Sequence, residues 1–109
     1  MENYDPNKEL QDLENAVLGA ILLESEALDE VSSDLKPHCF LSEANQHIFR
    51  AILELKEEGT KIDMLTVSQK IKTKGLLETM GDNRYIPSLT SRVASASNIE
   101  SHARLVIEG

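Results

Sequence analysis

The chain has 109 residues, 40% of them hydrophobic, which is enough to bury the core of one domain and too apolar for a disordered tail. Its 19 acidic and 11 basic side chains give a net charge of −8, which argues against contact with nucleic acid, because phosphate binding requires clustered Lys and Arg. With two Phe, two Tyr and no Trp, the core must be built from Leu, Ile, Val and Ala.

Apolar residues recur at helical spacing along the chain, and no segment shows the sustained alternation typical of strands. The spacing predicts helices near Lys8–Leu23, Ala27–Leu35, Glu43–Glu58, Leu65–Lys74, Arg84–Arg92 and Asn98–Glu108. Residues 1–7 are predicted to be a flexible N-terminal arm, and residues 8–109 one helical domain. The predicted fold class is all-α, a compact orthogonal bundle of about six helices.

The first two predicted helices each carry one apolar stripe. These stripes contain Leu10, Leu13, Val17, Ala20 and Ile21 in the first helix, and Leu28, Val31 and Leu35 in the second. Gly19 lies beside Ala20 and close to Ala16, and such small residues allow a neighbouring helix to approach closely. We therefore interpret them as packing residues.

A helical hairpin is predicted between Ser42 and Gly75. Ser42 can cap the third helix, whose apolar positions are Ile48, Phe49, Ile52, Leu53 and Leu55. Gly59 can adopt the left-handed conformation that ends this helix, and Asp63 or Thr66 can cap the next one. Val67 and Ile71 then face inward before Gly75 ends the fourth helix.

The last two predicted helices carry one unusual residue and one clear start signal. Pro87 cannot donate a backbone hydrogen bond, so we predict that the fifth helix starts late or kinks. Ser97 and Glu100 form a potential capping box for the sixth helix. The apolar run that leads directly to Gly109 suggests that the chain was cut from something longer.

Five segments match one family in consistent order from about Glu14 to Val106. The hairpin reads FxxxxxxHIFxAIxxLxxxGxxID, from Phe40 to Asp63, followed by Thr66. The other matching residues are Glu14, Val17, Leu18 and Gly19, then Gly75, Leu77 and Gly81, then Tyr85, Ile86 and Leu89, and finally Asn98, Ile99, Ala103, Leu105 and Val106. The chain resembles the N-terminal domain of the bacterial replicative DNA helicase of the DnaB type. It departs from that family's pattern at Leu41, Asn45, Asp82 and His102.

The resemblance implies a non-catalytic domain that self-associates, as a dimer or as the collar of a hexameric ring, and docks primase. A helicase loader is a further partner to be considered. The parent protein would bind ATP and Mg and act on single-stranded DNA through a motor domain outside this chain. Two alternatives are a free-standing helical adaptor, either a helicase loader or the helicase-binding domain of primase, and a small hydrolase that uses Glu and His.

The residues themselves indicate no catalytic, cofactor-binding or metal site. The sequence contains no GxxxxGK[ST] phosphate loop, and His38, Cys39 and His47 are too few to hold zinc. We interpret His47 as a partly buried side chain bonded to backbone, and His102 as an amphipathic packing residue. The basic residues Lys70, Lys72 and Lys74 alternate rather than line one helix face, and Glu78 and Asp82 follow, so a solvated surface is favoured.

The expected location is the cytoplasm, and nothing addresses the chain to a membrane. Cys39 is alone and cannot form an intramolecular disulfide, and the apolar run Ala16–Leu23 is too short to span a bilayer. The sequence does not identify the residues that meet primase. Helical periodicity makes Leu18, Leu22, Leu41 and Met80 candidates for exposed contact residues.

Overall fold

The described part of the chain folds into helices and turns. The structure is a computed structural model that describes residues 5–81, 84–91, 93 and 98–108, and no strand occurs within those ranges. Its helices are α1 (Pro6–Leu23), α2 (Leu28–Val31), α3 (Glu43–Glu57), α4 (Met64–Thr73), α5 (Tyr85–Thr90) and α6 (Ile99–Glu108). Short 3-10 turns lie at Ser25–Ala27, Pro37–Cys39 and Leu77–Met80. The prediction of an all-α bundle is confirmed.

Helix α1 begins at Pro6, two residues before the predicted Lys8, because Asp5 supplies an N-cap. The Asp5 carboxylate accepts a hydrogen bond from the backbone N–H of Asn7 at 3.0 Å. Pro6 occupies the first helical position, where an N–H would have no partner within the helix. The last two residues of the predicted arm are thus helical, and its residues 1–4 lie outside the described part of the chain.

The second predicted helix, Ala27–Leu35, is wrong in length, since α2 ends at Val31. The following Ser32, Ser33 and Asp34 favour turns over helix interiors. The Val31 carbonyl accepts from the N–H groups of both Asp34, at 3.2 Å, and Leu35, at 2.9 Å. These turn bonds still bring the Leu35 side chain into the core, as predicted.

The α3–α4 hairpin forms as predicted and follows local rules at each boundary. The Ser42 hydroxyl accepts from Asn45 N, and Gly59 ends α3 with a φ of 74°. Thr60 N donates to Leu55 O at 2.9 Å across this end, which is the Schellman arrangement. Of the two cap candidates for α4, Asp63 is the N-cap and Thr66 completes a capping box by accepting from Asp63 N at 2.9 Å.

Helix α1 lies at the centre of the bundle, with α3, α5 and α6 packed around it. Its middle is therefore buried on almost every side, including Leu18 and Leu22 as well as the predicted Val17, Ala20 and Ile21. The other buried apolar side chains are Ala27, Leu28, Val31, Leu35, Phe40, Ile48, Phe49, Ala51, Ile52, Leu55, Ile62, Val67, Ile71, Met80, Ile86, Leu89, Ile99, Ala103 and Val106.

Helix α5 crosses α1 at Gly19. A Cβ added to Gly19 would lie 2.2 Å from the carbonyl oxygen of Leu89, so the predicted role of small residues in close approach is confirmed here. Helix α5 starts at Tyr85, one residue after the predicted Arg84, and this places Pro87 in the first turn, where its missing N–H disrupts no helical bond. The predicted late start is thus confirmed. Ser97, predicted to cap α6, lies outside the described residues.

We predict that Gly19→Ala destabilises the domain. In an exposed helix this substitution stabilises by up to about 1 kcal/mol, but here the added methyl group overlaps the α5 backbone, so we expect a loss of about 1–3 kcal/mol. Urea unfolding followed by circular dichroism measures the effect. A more stable variant would contradict the close approach of α5 to α1.

We predict that Asp63→Ala costs about 1 kcal/mol through loss of the α4 cap. Hydrogen bonding to the backbone of Thr66 lowers the pKa of Asp63 from its usual 3.8. Because the folded-state pKa lies below the unfolded value, the ionised carboxylate stabilises the fold above about pH 3.8, and this contribution is lost as the pH falls through the folded-state pKa.

Asp63→Asn is the matched control, because asparagine caps a helix but does not titrate. The difference in unfolding free energy between the wild type and Asp63→Asn should change with pH only over this acidic window. A difference that stays constant down to below pH 3.8 would show that the carboxylate charge at Asp63 does not contribute.

Candidate interaction surfaces

Four polar side chains from three helices meet beneath the surface of the bundle. They are Glu14 and Asn15 on α1, Asn45 on α3 and Tyr85 on α5, and we call them the Glu14 cluster. Glu14, Asn15 and Asn45 are all buried, and Tyr85 is half-buried. Within the described residues no buried side-chain nitrogen or oxygen atom lacks a hydrogen-bond partner.

The Glu14 carboxylate binds the start of α3. It accepts from Leu41 N at 2.6 Å, from Ser42 N at 3.4 Å and from Asn45 Nδ2 at 3.0 Å. A negative charge is favourable at a helix N-terminus, where free N–H groups and the helix dipole attract it. This contact explains why a glutamate occupies an otherwise apolar position of α1.

The Tyr85 hydroxyl joins α5 to the same cluster. It donates to Asn45 Oδ1 at 2.6 Å and lies 3.3 Å from Asn15 Oδ1, which also accepts from Asn45 Nδ2 at 3.0 Å. Burial raises the pKa of Tyr85 above its usual 10.0, so the hydroxyl stays protonated and able to donate at physiological pH. The cluster therefore links α1, α3 and α5 through hydrogen bonds between side chains.

In the sequence, Glu14, Asn45 and Tyr85 are identifiable only as family positions, and their contact with each other is not predicted. A signal was present, since Glu14 and Asn15 lie between the partly buried Leu13 and the fully buried Val17 on α1. Polar residues at such positions require partners when they are buried. The partners are 27 or more residues away in sequence, at Leu41, Ser42, Asn45 and Tyr85, so periodicity alone could not identify them.

The histidine and cysteine side chains are dispersed. His47 is partly buried, as predicted, and its Nε2 lies 3.7 Å from the Glu43 carboxylate one turn earlier, in place of the predicted backbone partner. His38 and Cys39 lie in the 3-10 turn Pro37–Cys39, and His102 is half-buried on α6. The described ranges contain no group of three or more His, Cys, Asp or Glu side chains arranged to hold a metal ion.

The lysines of α4 bind α3. Lys70 and Lys74 lie one helical turn apart on a shared face, so the prediction that they do not line one face is wrong for this pair. Lys74 Nζ lies 2.9 Å from Glu54 Oε2, and Lys70 pairs with Glu58, a hydrogen bond that raises the pKa of Lys70 above 10.5. Their charge is thus directed at carboxylates of the hairpin, whereas the exposed Lys72 forms no ion pair with α3 among the described residues.

The exposed apolar side chains differ from those predicted. Leu41 is exposed as predicted, at 57%, but Leu18, Leu22 and Met80 are buried, so those three predictions are wrong. The reason is that α1 is surrounded on several sides, and the 3-10 turn at Leu77–Met80 folds Met80 inward. The large apolar side chains that the structure exposes are Leu23, Leu41, Leu65, Leu77, Leu105 and Ile107.

Leu65 and Leu77 border a shallow groove between α4, the last 3-10 turn and α5. Leu65 is 74% exposed and Leu77 is 37% exposed, while Met80 and Ile86 form the floor. We call these four residues the α4–α5 surface. A second groove lies between α2 and α6. In the residues that can be described, no helix is both long and apolar enough to cross a membrane.

The fold defines a small all-α domain in which the Glu14 cluster links α1, α3 and α5. The family model of the DnaB-like helicase N terminal domain matches residues 6–108. The chain belongs to this family.

Curated relatives agree with this assignment. The chain is 46% identical over 97 residues to the replicative DNA helicase DnaB of Rhodothermus marinus, a match that covers 89% of this chain and 10% of that protein. It is 39% identical over 95 residues to the replicative DNA helicase DnaB of Treponema pallidum, covering 87% of this chain and 22% of that protein. The chain therefore spans only a small part of these relatives.

A solved structure shows the same fold. The crystal structure of the N-terminal domain of DnaB helicase from Mycobacterium tuberculosis superposes with a TM-score of 0.85 at 35% sequence identity. The match covers 90% of this chain and 68% of that chain. The resemblance read from the five sequence segments is confirmed.

We predict that Glu14→Ala costs about 3 kcal/mol or more in unfolding free energy. The substitution removes the acceptor of the part-buried Leu41 and Ser42 N–H groups and one of the two acceptors of the buried Asn45 amide, and it leaves a cavity beside Asn45; an unsatisfied buried donor costs about 1–3 kcal/mol. Urea unfolding measures the loss. Glu57→Ala, at an exposed position of α3, is the control and should change stability little. A similar small effect for both variants would contradict the role given to Glu14.

Proposed function

We propose that this chain is the assembly and partner-docking domain of a hexameric, ATP-dependent replicative DNA helicase. The observation that supports the proposal is the family match over residues 6–108, together with relatives that are replicative DNA helicases. In the proposed parent protein, a motor domain outside this chain binds ATP and Mg and acts on single-stranded DNA. This role places the protein in the cytoplasm.

The first proposed task is self-association, as a dimer or as the collar of the ring. The α4–α5 surface supports it, because Leu65 is the most exposed large apolar side chain in the described part of the chain. Burying exposed leucine on contact contributes roughly 25 cal/mol per Å² of apolar area removed from water. Lys70 and Lys74 of the same helix are paired with α3, whereas Lys72 lines the groove beside Leu65 and Leu77 and adds a positive charge to this contact.

The second proposed task is docking of primase, with a helicase loader as a further partner. The net charge of −8 supports a protein partner over a phosphate backbone. An acidic domain held near DNA is repelled by the phosphates, so its contacts are directed toward proteins of the replication machinery. Through such a contact the domain would couple primer synthesis to unwinding.

Light scattering across a concentration series, with and without the C-terminal domain of the matching primase, tests both tasks. We expect the mass to rise with protein concentration, and a complex to form when the primase domain is added. The double variant Leu65→Ser/Leu77→Ser should lower self-association, and the fold should be retained because both side chains are exposed.

Leu41→Ser is the matched control, since Leu41 is also exposed but lies outside the α4–α5 surface. It should self-associate as the wild type does. If the wild type is a monomer at every concentration and ignores the primase domain, the proposed tasks do not belong to this segment. If Leu41→Ser weakens association as much as the double variant, the α4–α5 surface is not the contact.

A further inference from the structure

A groove between α2 and α6 combines an apolar floor with a charged rim. Val31 and Ala103 form the buried floor, and Ile107, which is 39% exposed, stands beside them. The cavity measures about 510 Å³, which leaves room for side chains of another molecule above the floor. Neither the Glu14 cluster nor the α4–α5 surface shares a residue with this groove.

The rim is acidic, because its carboxylates outnumber its cations four to one among the described residues. It carries Glu30 and Asp34 from the α2 side, Glu100 and Glu108 from α6, and one cation, Arg104. Across the described ranges, no ion pair within 4.0 Å involves any of these five side chains.

Asp29, the residue before Glu30 in sequence, does have an ion-pair partner. Asp29 pairs with Lys56 of α3 at 2.7 Å, so the fold supplies a cation to Asp29 but none to its neighbour Glu30. A surface with four carboxylates, one guanidinium and an apolar floor is complementary to basic side chains that flank apolar ones.

We propose that the α2–α6 groove binds a basic segment of a partner protein, in which Lys or Arg residues flank one or two apolar side chains. The apolar side chains would pack on Val31, Ala103 and Ile107, while the basic groups pair with the rim carboxylates. Glu100 and Glu108 are eight residues apart on α6, which is roughly 12 Å along the helix axis, a span that fits a peptide segment and exceeds a single small cation.

Other occupants fit the charge less well. Nucleic acids and anionic membranes carry the same sign of charge as the rim and would be repelled. A second copy that presented the same groove would bring eight carboxylates together against two guanidinium groups. This inference rests on the groove alone and does not depend on the proposed collar or primase contacts.

The probe for the test is a short fluorescein-labelled peptide in which arginines flank two adjacent leucines, titrated with the 109-residue protein and followed by fluorescence anisotropy. We expect saturable binding that weakens as salt is added. The double variant Glu30→Arg/Glu100→Arg should weaken binding by at least about tenfold, because it replaces attraction at the rim with repulsion.

The control variant Glu57→Arg/Glu78→Arg changes the net charge by the same amount at exposed positions outside the groove. It should bind the peptide nearly as the wild type does. Equal weakening by both double variants would show attraction to the overall negative charge and would overturn the proposal. Absence of saturable binding to the wild type would also overturn it.

A second pair of variants tests the apolar floor. Ile107→Ser should weaken binding several-fold, whereas Leu105→Ser, a comparably exposed residue that does not line this groove, should not. In ¹⁵N-labelled protein, the peptide should shift amide resonances of residues 30–34 and 100–108. Shifts confined to other helices would contradict the assignment of the groove.

Discussion

The buried carboxylate of Glu14 is the contact on which the arrangement of the other helices depends. Taking a charge out of water is costly unless hydrogen bonds or charges in the protein replace the lost solvent. Among the described residues, no ion pair involves Glu14. The free N–H groups at the start of α3 and the Asn45 amide replace the solvent instead, so the Glu14 carboxylate is stable only when α1 and α3 meet at one position. Tyr85 then extends the same constraint to α5.

Close packing between α1 and α5 determines the position of the C-terminal part of α5. Gly19, little more than one helical turn beyond Glu14, lets the α5 backbone approach so closely that a methyl group would overlap the Leu89 carbonyl. The hydrogen bonds of Tyr85 position the beginning of α5. The absence of a side chain at Gly19 leaves space for the end of α5 to pack against α1. A short helix such as α5 has little stability of its own, so these tertiary contacts account for its position.

The accuracy of the sequence predictions followed the range of the interactions involved. The α3–α4 hairpin was predicted almost to the residue because caps and left-handed glycines act within four or five positions of chain. The length of α2 was missed because three short polar residues and Pro37 outweighed an apolar spacing that continued to Leu35. The Glu14 cluster could not be predicted, since its members are joined only by the fold.

Exposure was the least predictable property, and the reason lies in the central position of α1. Periodicity assigns one face of a helix to the core, but α1 has neighbours on several sides, so Leu18 and Leu22 are buried like the predicted Val17, Ala20 and Ile21. The predicted Leu10 and Leu13, nearer the start of α1, are only partly buried. The helices at the edge of the bundle bury one face and expose the other, as periodicity assumes. Leu65 on α4 and Ile107 on α6 are exposed because each of these helices packs against the bundle on one side only.

The contrast between the buried interior and the exposed outer faces separates the residues that maintain the fold from the residues available to partners. The Glu14 cluster and Gly19 act inside, between α1, α3 and α5, whereas the α4–α5 surface and the acidic rim of the α2–α6 groove lie on outer faces. Exposed positions away from such contacts usually change stability by less than about 0.5 kcal/mol. Substitutions at Leu65, Glu30 or Glu100 can therefore alter partner binding while the interior contacts keep the helices in place, so the proposed contacts can be tested one at a time on a folded domain.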